Sequence, residues 1–261
     1  IKEIFIPPKV SEIGENAFSF SLLTKVEIPL NSNLQRIGPC AFSYTKIKEI
    51  FIPPKVSEIC ENTFYGCINL TKVEISPNSN LQTIRYYAFS SSNIEEISIP
   101  LKVSSICENA FYKCTNLRKV EILTNSNLQT IEFCAFSDTK IKEFFIPSKV
   151  SIIYERTFFG CQYLSKIEIP SNSNLQTIEN EAFSLSNIEK IYFPSSLREL
   201  KCGWCYCMKN LTKIIISPSN DQFIFKDDKY LLGKSDSKSD EFDILLFARR
   251  DIEEISIPSN I

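Results

Sequence analysis

The first thirteen residues of the chain, IKEIFIPPKVSEI, recur without a change 46 positions later, from Ile47 to Ile59. Looser copies follow at a nearly constant interval, and they begin at Ile94, Ile141 and Ile188, with a final fragment from Ile252. A repeated unit of this size cannot bury its apolar face alone, so neighbouring copies must stack on one another. A period of this length is therefore typical of solenoids and related arrays.

A second unit lies between these copies. It reads LTKVEIPLNSNLQRIGPCAFSYT from Leu23 to Thr45, and it recurs from Leu70, Leu117 and Leu164 and, in degraded form, from Leu211. Units of about 23 and 24 residues thus alternate over residues 1–216. We interpret this range as one continuous block of repeats.

Each unit carries the same apolar columns. It begins I/L-x-x-I/V-x-I, and the alternation at its end predicts a short strand, which a proline soon terminates. V-x-x-I and Ala/Thr-Phe segments complete the coil. We expect one parallel sheet of about eleven short strands, an opposite wall of extended or short 3₁₀ segments, and little helix.

Two further columns have structural interpretations. The phenylalanines are expected to form one internal spine; they are Phe18, Phe42, Phe64, Phe89, Phe111, Phe136, Phe158 and Phe183. An asparagine recurs where the longer units turn, at Asn31, Asn78, Asn125 and Asn172. Side-chain amides at such turns usually satisfy backbone groups, and we expect that role here rather than ligand binding.

The amino-acid composition of the chain excludes several classes of function. The chain has no histidine, which excludes Ser-His-Asp and Cys-His catalysis and the commonest zinc ligand. Its net charge of -2, with both signs well mixed, argues against nucleic acid as a partner. No apolar run has membrane-spanning length, so we expect no membrane insertion within these residues. The sequence starts and ends inside a repeat, and we expect any signal or anchor to lie in flanks outside it.

The ten cysteines admit two interpretations. Cys67, Cys114 and Cys161 share a column two coils apart, which is too far for a disulfide, and we expect buried free thiols. Cys202 and Cys205 form a C-x-x-C motif that could serve redox or metal chemistry. Their position in the repeat instead indicates a decayed copy, so we predict no metal and no cofactor.

The segment IEEISIPLKVSSICENAFYKC, from Ile94 to Cys114, resembles the BspA-like class of leucine-rich repeats. The resemblance covers residues 1 to about 216 and the last ten residues, although the 24-residue units lack the terminal cysteine. It implies an open, right-handed, curved leucine-rich-repeat solenoid. It also implies a cell-surface or secreted protein of the kind through which bacteria and parasitic protists adhere to host cells and matrix proteins.

The repeat pattern breaks after Ile216. Residues 217–251 contain short apolar runs separated by polar segments, and we expect an irregular insertion with a β-hairpin. Residues 252–261 start a further repeat. A functional loop and a mere insertion remain equally open for this segment.

The outward face of the sheet supplies the candidate binding site. At the third position of each unit, glutamate and lysine alternate for eight coils, which predicts cross-strand charge pairs. At the fifth position, aromatic residues alternate with glutamates, and the candidate contacts are Phe5, Glu27, Phe51, Glu74, Glu121, Phe145, Glu168 and Tyr192. Aromatic anchors among charges are typical of protein-binding surfaces, and the glutamates would favour a basic partner. Alternatively, the aromatics were copied with the repeat and shield one another.

Two functions therefore remain. The first is a non-enzymatic module that binds a host-cell or extracellular-matrix protein, or another copy of the chain. The second is a structural spacer that presents a domain outside these residues. Asn69 and Asn210 match N-x-[ST], and their glycosylation depends on a secretory route.

Overall fold

The computed structural model describes residues 1–252 and shows a β-solenoid that contains no helix in that range. Each coil gives one strand to a front wall, whose strands are Glu3–Phe5, Lys25–Glu27, Glu49–Ile52, Lys72–Ile75, Glu96–Ile99, Lys119–Ile122, Glu143–Phe145, Lys166–Glu168, Lys190–Phe193 and Lys213–Ile216. Neighbouring strands of this wall pair in parallel, so the predicted solenoid is confirmed. The eleventh strand expected from Ile252 onwards lies outside the described residues.

The expectation of a single sheet is wrong, because the opposite wall is also a sheet. Nine two-residue strands pair in parallel there: Glu12–Ile13, Arg36–Ile37, Glu58–Ile59, Thr83–Ile84, Ser105–Ile106, Thr130–Ile131, Ile152–Ile153, Thr177–Ile178 and Glu199–Leu200. Stacking at the strand spacing brings the last residues of each V-x-x-I segment into pairing distance. This back wall is extended, as predicted, and it is hydrogen-bonded along its length.

The front wall is interrupted twice. The strands pair in blocks of two, four and four, with breaks after Lys25–Glu27 and after Lys119–Ile122. Both breaks follow a longer unit. In a longer unit the next inward-facing residue comes six positions after the last inward-facing residue of the front strand, as Leu34 does after Ile28. In a shorter unit it comes four positions later, as Val10 does after Ile6. The longer turn is thus associated with a local loss of strand pairing.

The core runs unbroken between the two walls. Its centre is the phenylalanine spine, in which successive rings stack with centroids 5.1 to 5.8 Å apart, from Phe18 through to Phe183. All of these rings except Phe18, in the first coil, are fully buried. The predicted spine is confirmed.

Each coil turns at a phenylalanine corner, in which two residues with positive φ lie four positions apart around the buried ring. In the first coil these residues are Asn16 and Phe20. Backbone N–H groups of Asn16, Phe18 and Phe20 donate to carbonyls of the next coil at 2.8 to 2.9 Å. The corner is therefore a third hydrogen-bonded side of the solenoid.

We call the segments that join each front strand to the next back strand the turn edge; they are residues 7–11, 29–35, 53–57, 76–82, 100–104, 123–129, 147–151, 170–176 and 194–198. In the longer units a buried serine, not the preceding asparagine, satisfies the backbone. Ser32 Oγ accepts from the N–H of Leu34 at 3.1 Å, and the next three longer units repeat this bond. The predicted backbone role of Asn31, Asn78, Asn125 and Asn172 is wrong, because their side chains are exposed and make no hydrogen bond within residues 1–252.

Residues 217–251 form a three-stranded antiparallel sheet over the last coil. Its strands are Phe223–Lys226, Tyr230–Gly233 and Ile244–Ala248. The ring of Phe223 packs edge-on against Phe193 of the front wall, with centroids 5.8 Å apart. Arg250 donates to the carbonyls of Cys205 and Met208, each at 3.1 Å. This sheet therefore covers the core of the last coil.

Candidate protein-binding face

The outward side of the front wall carries the third- and fifth-position side chains of each unit. The strand Lys25–Glu27 illustrates the alternation, because its outer two residues are exposed and Val26 is buried. The parallel register places Glu27 beside Phe5, Phe51 beside Glu74, and Phe145 beside Glu168. Aromatic rings and carboxylates therefore alternate across the face, as the sequence predicts.

The ion pairs on this face differ from the prediction. Lys25 pairs with Glu27 of its own strand, and three other lysines pair in the same way: Lys72 with Glu74 at 3.3 Å, Lys119 with Glu121, and Lys166 with Glu168 at 3.4 Å. Among the described residues, the only ion pair between two strands of this wall is that of Lys166 with Glu143, at 4.0 Å. The register places opposite charges side by side on neighbouring strands, as predicted, but most ion pairs form within a strand. Each fifth-position glutamate lies between apolar or hydroxyl neighbours, so its own lysine is the available cation.

These pairs change the electrostatics of the face. The hydrogen bond from Lys119 lowers the pKa of Glu121, and Ser98 Oγ donates a second bond to this carboxylate at 2.6 Å. The corresponding bond that Lys25 donates to Glu27 raises the pKa of Lys25. All these groups are exposed and contribute little to stability. Their main effect is to neutralise the glutamates that would otherwise favour a basic partner.

A first groove lies at the first interruption of the front wall. Four predicted contacts line it: Phe5, Glu27, Phe51 and Glu74. Val26 and Ile50 form part of its floor, and its volume is about 480 Å³. Phe5 is 53% exposed, whereas Phe51 is half-buried and packs against the core.

A second groove lies at the second interruption, four coils further along. The predicted contacts Glu121, Phe145 and Glu168 line it. Leu123, which is 58% exposed, also lines this groove. The sequence did not indicate it as a contact, because it occupies the position at which most units have a proline. The two grooves thus present the same glutamate–phenylalanine–glutamate arrangement at equivalent places.

Tyr192 lies in neither groove. Its strand pairs in full register with Lys213–Ile216, so Tyr192 stands beside Ile215, and its ring is half-buried against the core. The structure therefore brings together seven of the eight predicted contacts in two sets and leaves Tyr192 apart.

Sequence reasoning also missed an aromatic ribbon at the phenylalanine corner, formed by Phe20, Tyr44, Tyr65 and Tyr87. Consecutive rings lie 4.6, 5.3 and 6.2 Å apart. The ring of Tyr44 covers Gly66 so closely that a Cβ there would lie 2.7 Å from it. These rings pack on one another and on the backbone.

The buried thiols have a structural role. Cys67, Cys114 and Cys161 donate to carbonyls of the preceding coil at 3.0 to 3.1 Å. Burial raises the pKa of Cys114 to about 12, so this thiol stays protonated at neutral pH. Cys205 is also buried, in the spine column as predicted. Within residues 1–252 no group of three or more Cys, Asp or Glu side chains is placed to hold a metal.

Comparison with known proteins identifies the family. A profile of the BspA type leucine rich repeat region matches in six copies, over residues 1–118, 35–165 and 82–212. The chain belongs to the BspA-type leucine-rich repeat family. No curated protein matches its sequence. Within residues 1–252, no helix of this BspA-type chain is long and apolar enough to cross a membrane.

Two solved structures resemble the BspA-type solenoid described above. A leucine-rich repeat protein from Bacteroides ovatus aligns with a TM-score of 0.68 and 24% identity, over 84% of this chain and 70% of that protein. The pneumococcal vaccine antigen PcpA aligns with a TM-score of 0.51 and 18% identity, over 85% of this chain and 63% of the antigen. At these identities the likeness establishes the fold alone.

Proposed function

We propose that this BspA-type chain is a non-enzymatic, protein-binding part of a cell-surface or secreted protein, and that the front wall contacts the partner. The partner is a host-cell or extracellular-matrix protein. The observation that supports this most directly is the pair of equivalent grooves, each with an aromatic ring between two glutamates. Aromatic side chains in grooves are the residues that most often dominate the energy of protein interfaces.

The energetics of the face agree with this role. Consecutive coils hold one another rigid, so binding costs little backbone ordering. Phe5, Phe51 and Phe145 supply apolar area at the grooves, and the surrounding glutamate–lysine pairs form a polar rim that a partner can hydrogen-bond. Because the glutamates are already paired, recognition depends on the aromatic anchors more than on net charge.

The two interruptions of the front wall offer further contacts. The grooves at these interruptions are lined by exposed side chains that an extended segment of the partner can contact. The grooves lie four coils apart, which is about 19 Å at the strand spacing. An extended peptide of about six residues spans that distance.

Substitution at the grooves tests this proposal. Phe51→Ser combined with Phe145→Ser removes both central anchors, and Glu74→Arg combined with Glu168→Arg alters the same grooves without touching the core. Phe20→Ser combined with Tyr206→Ser is the matched control, because both rings are more than half exposed and lie at the phenylalanine corners.

Binding to intact host cells and to a panel of immobilised matrix proteins is the readout, with folding checked by circular dichroism. We expect both groove variants to bind at least tenfold more weakly and the control to bind like the parent. Groove variants that fold and bind like the parent would overturn the site. A folded parent that binds no cell and no matrix protein would favour the spacer function.

A further inference from the structure

The turn edge, which lies beside the front wall, has an unusual charge composition. Its nine segments contain no aspartate and no glutamate. They contain five cations, of which Lys9, Lys55, Lys102 and Lys149 occupy the same position in alternate coils and Arg198 follows in the last. The chain as a whole has a net charge of -2, so this edge is a local concentration of positive charge.

Three of the four edge lysines are held in place without being neutralised. Lys55 Nζ donates to Asn33 Oδ1 of the preceding coil at 2.6 Å, and two further pairs repeat this contact, Lys102 with Asn80 at 2.7 Å and Lys149 with Asn127 at 2.5 Å. A neutral amide orients the ammonium group and leaves its charge intact. By contrast, the front-wall lysines Lys25, Lys72, Lys119 and Lys166 each pair with a carboxylate.

The acidic residues nearest the turn edge on either side are already paired. On the front wall the fifth-position glutamates contact the lysines of their own strands, whereas Glu3, Glu49 and Glu96, at the far ends of their strands, make no ion pair within residues 1–252. On the back wall Arg36 pairs with Glu12 at 2.7 Å, and Arg85 pairs with Glu58 at 2.8 Å. In the coils of Lys102 and Lys149 the back-wall position equivalent to Glu12 is occupied by Ser105 and Ile152, which carry no charge. The four edge lysines are exposed and therefore face solvent with little opposing charge.

Free amides alternate with these lysines. Asn31, Asn78, Asn125 and Asn172 occupy the turn edge of the intervening coils, and their exposed side chains make no hydrogen bond in the described part of the chain. An amide can donate to a sulfate or carboxylate oxygen and accept from a hydroxyl. At the strand spacing, lysines two coils apart lie about 10 Å from one another, and the four span about 29 Å.

We propose that the turn edge binds a linear sulfated polysaccharide, which lies along the solenoid axis with its anionic groups on the lysines and its hydroxyl and anionic oxygens on the asparagines. A single file of evenly spaced cations and amides fits a long, regularly charged chain. The edge has no aromatic platform on which nucleic-acid bases could stack. The edge lysines and these asparagines line neither groove, so the proposal does not depend on the proposed function.

Immobilised heparin provides the test. The edge variant Lys55→Gln, Lys102→Gln, Lys149→Gln removes three charges from the turn edge. The matched control Lys72→Gln, Lys119→Gln, Lys166→Gln removes three charges from the paired lysines of the front wall. We expect the parent and the control to be retained at about 0.1 M NaCl, an ionic strength at which charges are screened about as strongly as in a physiological buffer. We expect the edge variant to bind heparin at least tenfold more weakly and to elute at lower salt.

Soluble competitors identify the class of ligand. Dextran sulfate should displace the parent from heparin, whereas poly-glutamate at equal charge concentration should not. A parent that passes through the heparin column at 0.1 M NaCl would overturn the proposal, as would equal losses in the edge variant and the control. Equal displacement by poly-glutamate would assign the edge to acidic proteins instead and would also overturn it.

Discussion

The rings of Phe42 and Phe64 lie parallel to within 1°, with centroids 5.6 Å apart, although 22 positions separate them in the chain. Each coil from Phe18 to Phe183 adds one ring to this stack, so each interior ring contacts a ring above and a ring below. The spine therefore couples neighbouring coils, and its interior members should matter more than its end.

Removal of an interior ring should be costly. Phe111 is fully buried between Phe89 and Phe136, at 5.3 and 5.1 Å. We expect Phe111→Ala to destabilise the chain by about 3–5 kcal/mol, since it leaves a cavity that the stacked coils cannot close. Phe18→Ala is the control, because Phe18 is half-buried and stacks on one ring only. Urea denaturation measures both, and equal costs would contradict the spine.

The phenylalanine corners predict a preference for glycine over alanine at position 113. Lys113 has a φ of 55°, in the left-handed region, where the same position of the neighbouring shorter units holds Gly66 and Gly160. Relief of the Cβ strain should make Lys113→Gly more stable than Lys113→Ala by about 1 kcal/mol. Both variants lose the same side-chain contacts, so their difference isolates the backbone. Thermal unfolding measures it, and an alanine variant that is the more stable would contradict this conformation.

Replacement of Gly160 tests the same preference at a native glycine. Its φ is 71°, and a Cβ there would lie 2.3 Å from Asp138 Oδ1. We therefore expect Gly160→Ala to lower the melting temperature. The double variant with Asp138→Ala should recover only part of the loss, because the backbone strain remains. Full recovery would assign the whole cost to the carboxylate.

The buried thiols predict loss of stability in alkali. Burial raises the pKa of Cys67 and Cys161 to about 11 and that of Cys114 to about 12, whereas unfolded thiols titrate near 9. Above pH 9 the unfolded state therefore binds fewer protons than the folded state, and the free energy of unfolding falls as pH rises. The stabilisation is complete below pH 9 and is lost as the pH passes the folded pKa values.

Urea denaturation in reductant between pH 8 and pH 10.5 measures this effect. The limiting slope is about 1.4 kcal/mol per pH unit for each thiol. The triple variant Cys67→Ala, Cys114→Ala, Cys161→Ala should be less stable at pH 8 but should show a flatter pH dependence than the parent. Parallel pH profiles would show that these thiols ionise equally in both states.

The antiparallel sheet of residues 217–251 should detach when its link to the last coil is removed. Arg250 donates to two carbonyls of that coil, whereas Arg249 donates to Asp251 and to the carbonyl of Asp228, both within residues 217–251. We expect Arg250→Ala to speed amide hydrogen exchange in both Phe223–Lys226 and the last coil, and Arg249→Ala to leave the last coil unchanged. Equal exchange in the two variants would contradict this docking.

Much of the fold follows from the sequence because stacking is a nearest-neighbour property. The apolar columns that contain Phe42 and Ile37 repeat from coil to coil, and this repetition is enough to place their side chains in the core. The back-wall sheet escaped prediction because a two-residue strand such as Arg36–Ile37 has no alternation to detect. Its pairing exists only when a second coil lies beside it.

The candidate face could be predicted in position but not in its contacts. Alternation along the strand is enough to place Phe51 and Glu74 outward. The pairing of Lys25 with Glu27 depends on which cation is nearest once Phe5 and Phe51 occupy the neighbouring places. The grooves depend on the two interruptions of the front wall, which arise from how the longer turns stack.

Hydroxyl-radical footprinting of the chain bound to a matrix protein that retains it tests the central claim most directly. Binding through the front wall predicts that oxidation of Phe5, Phe51 and Phe145 slows in the complex, while oxidation of Phe20 and Tyr206, which are exposed at the phenylalanine corners, is unchanged. Unchanged oxidation of the three front-wall phenylalanines, with slower oxidation of Phe20 or Tyr206, would contradict the account.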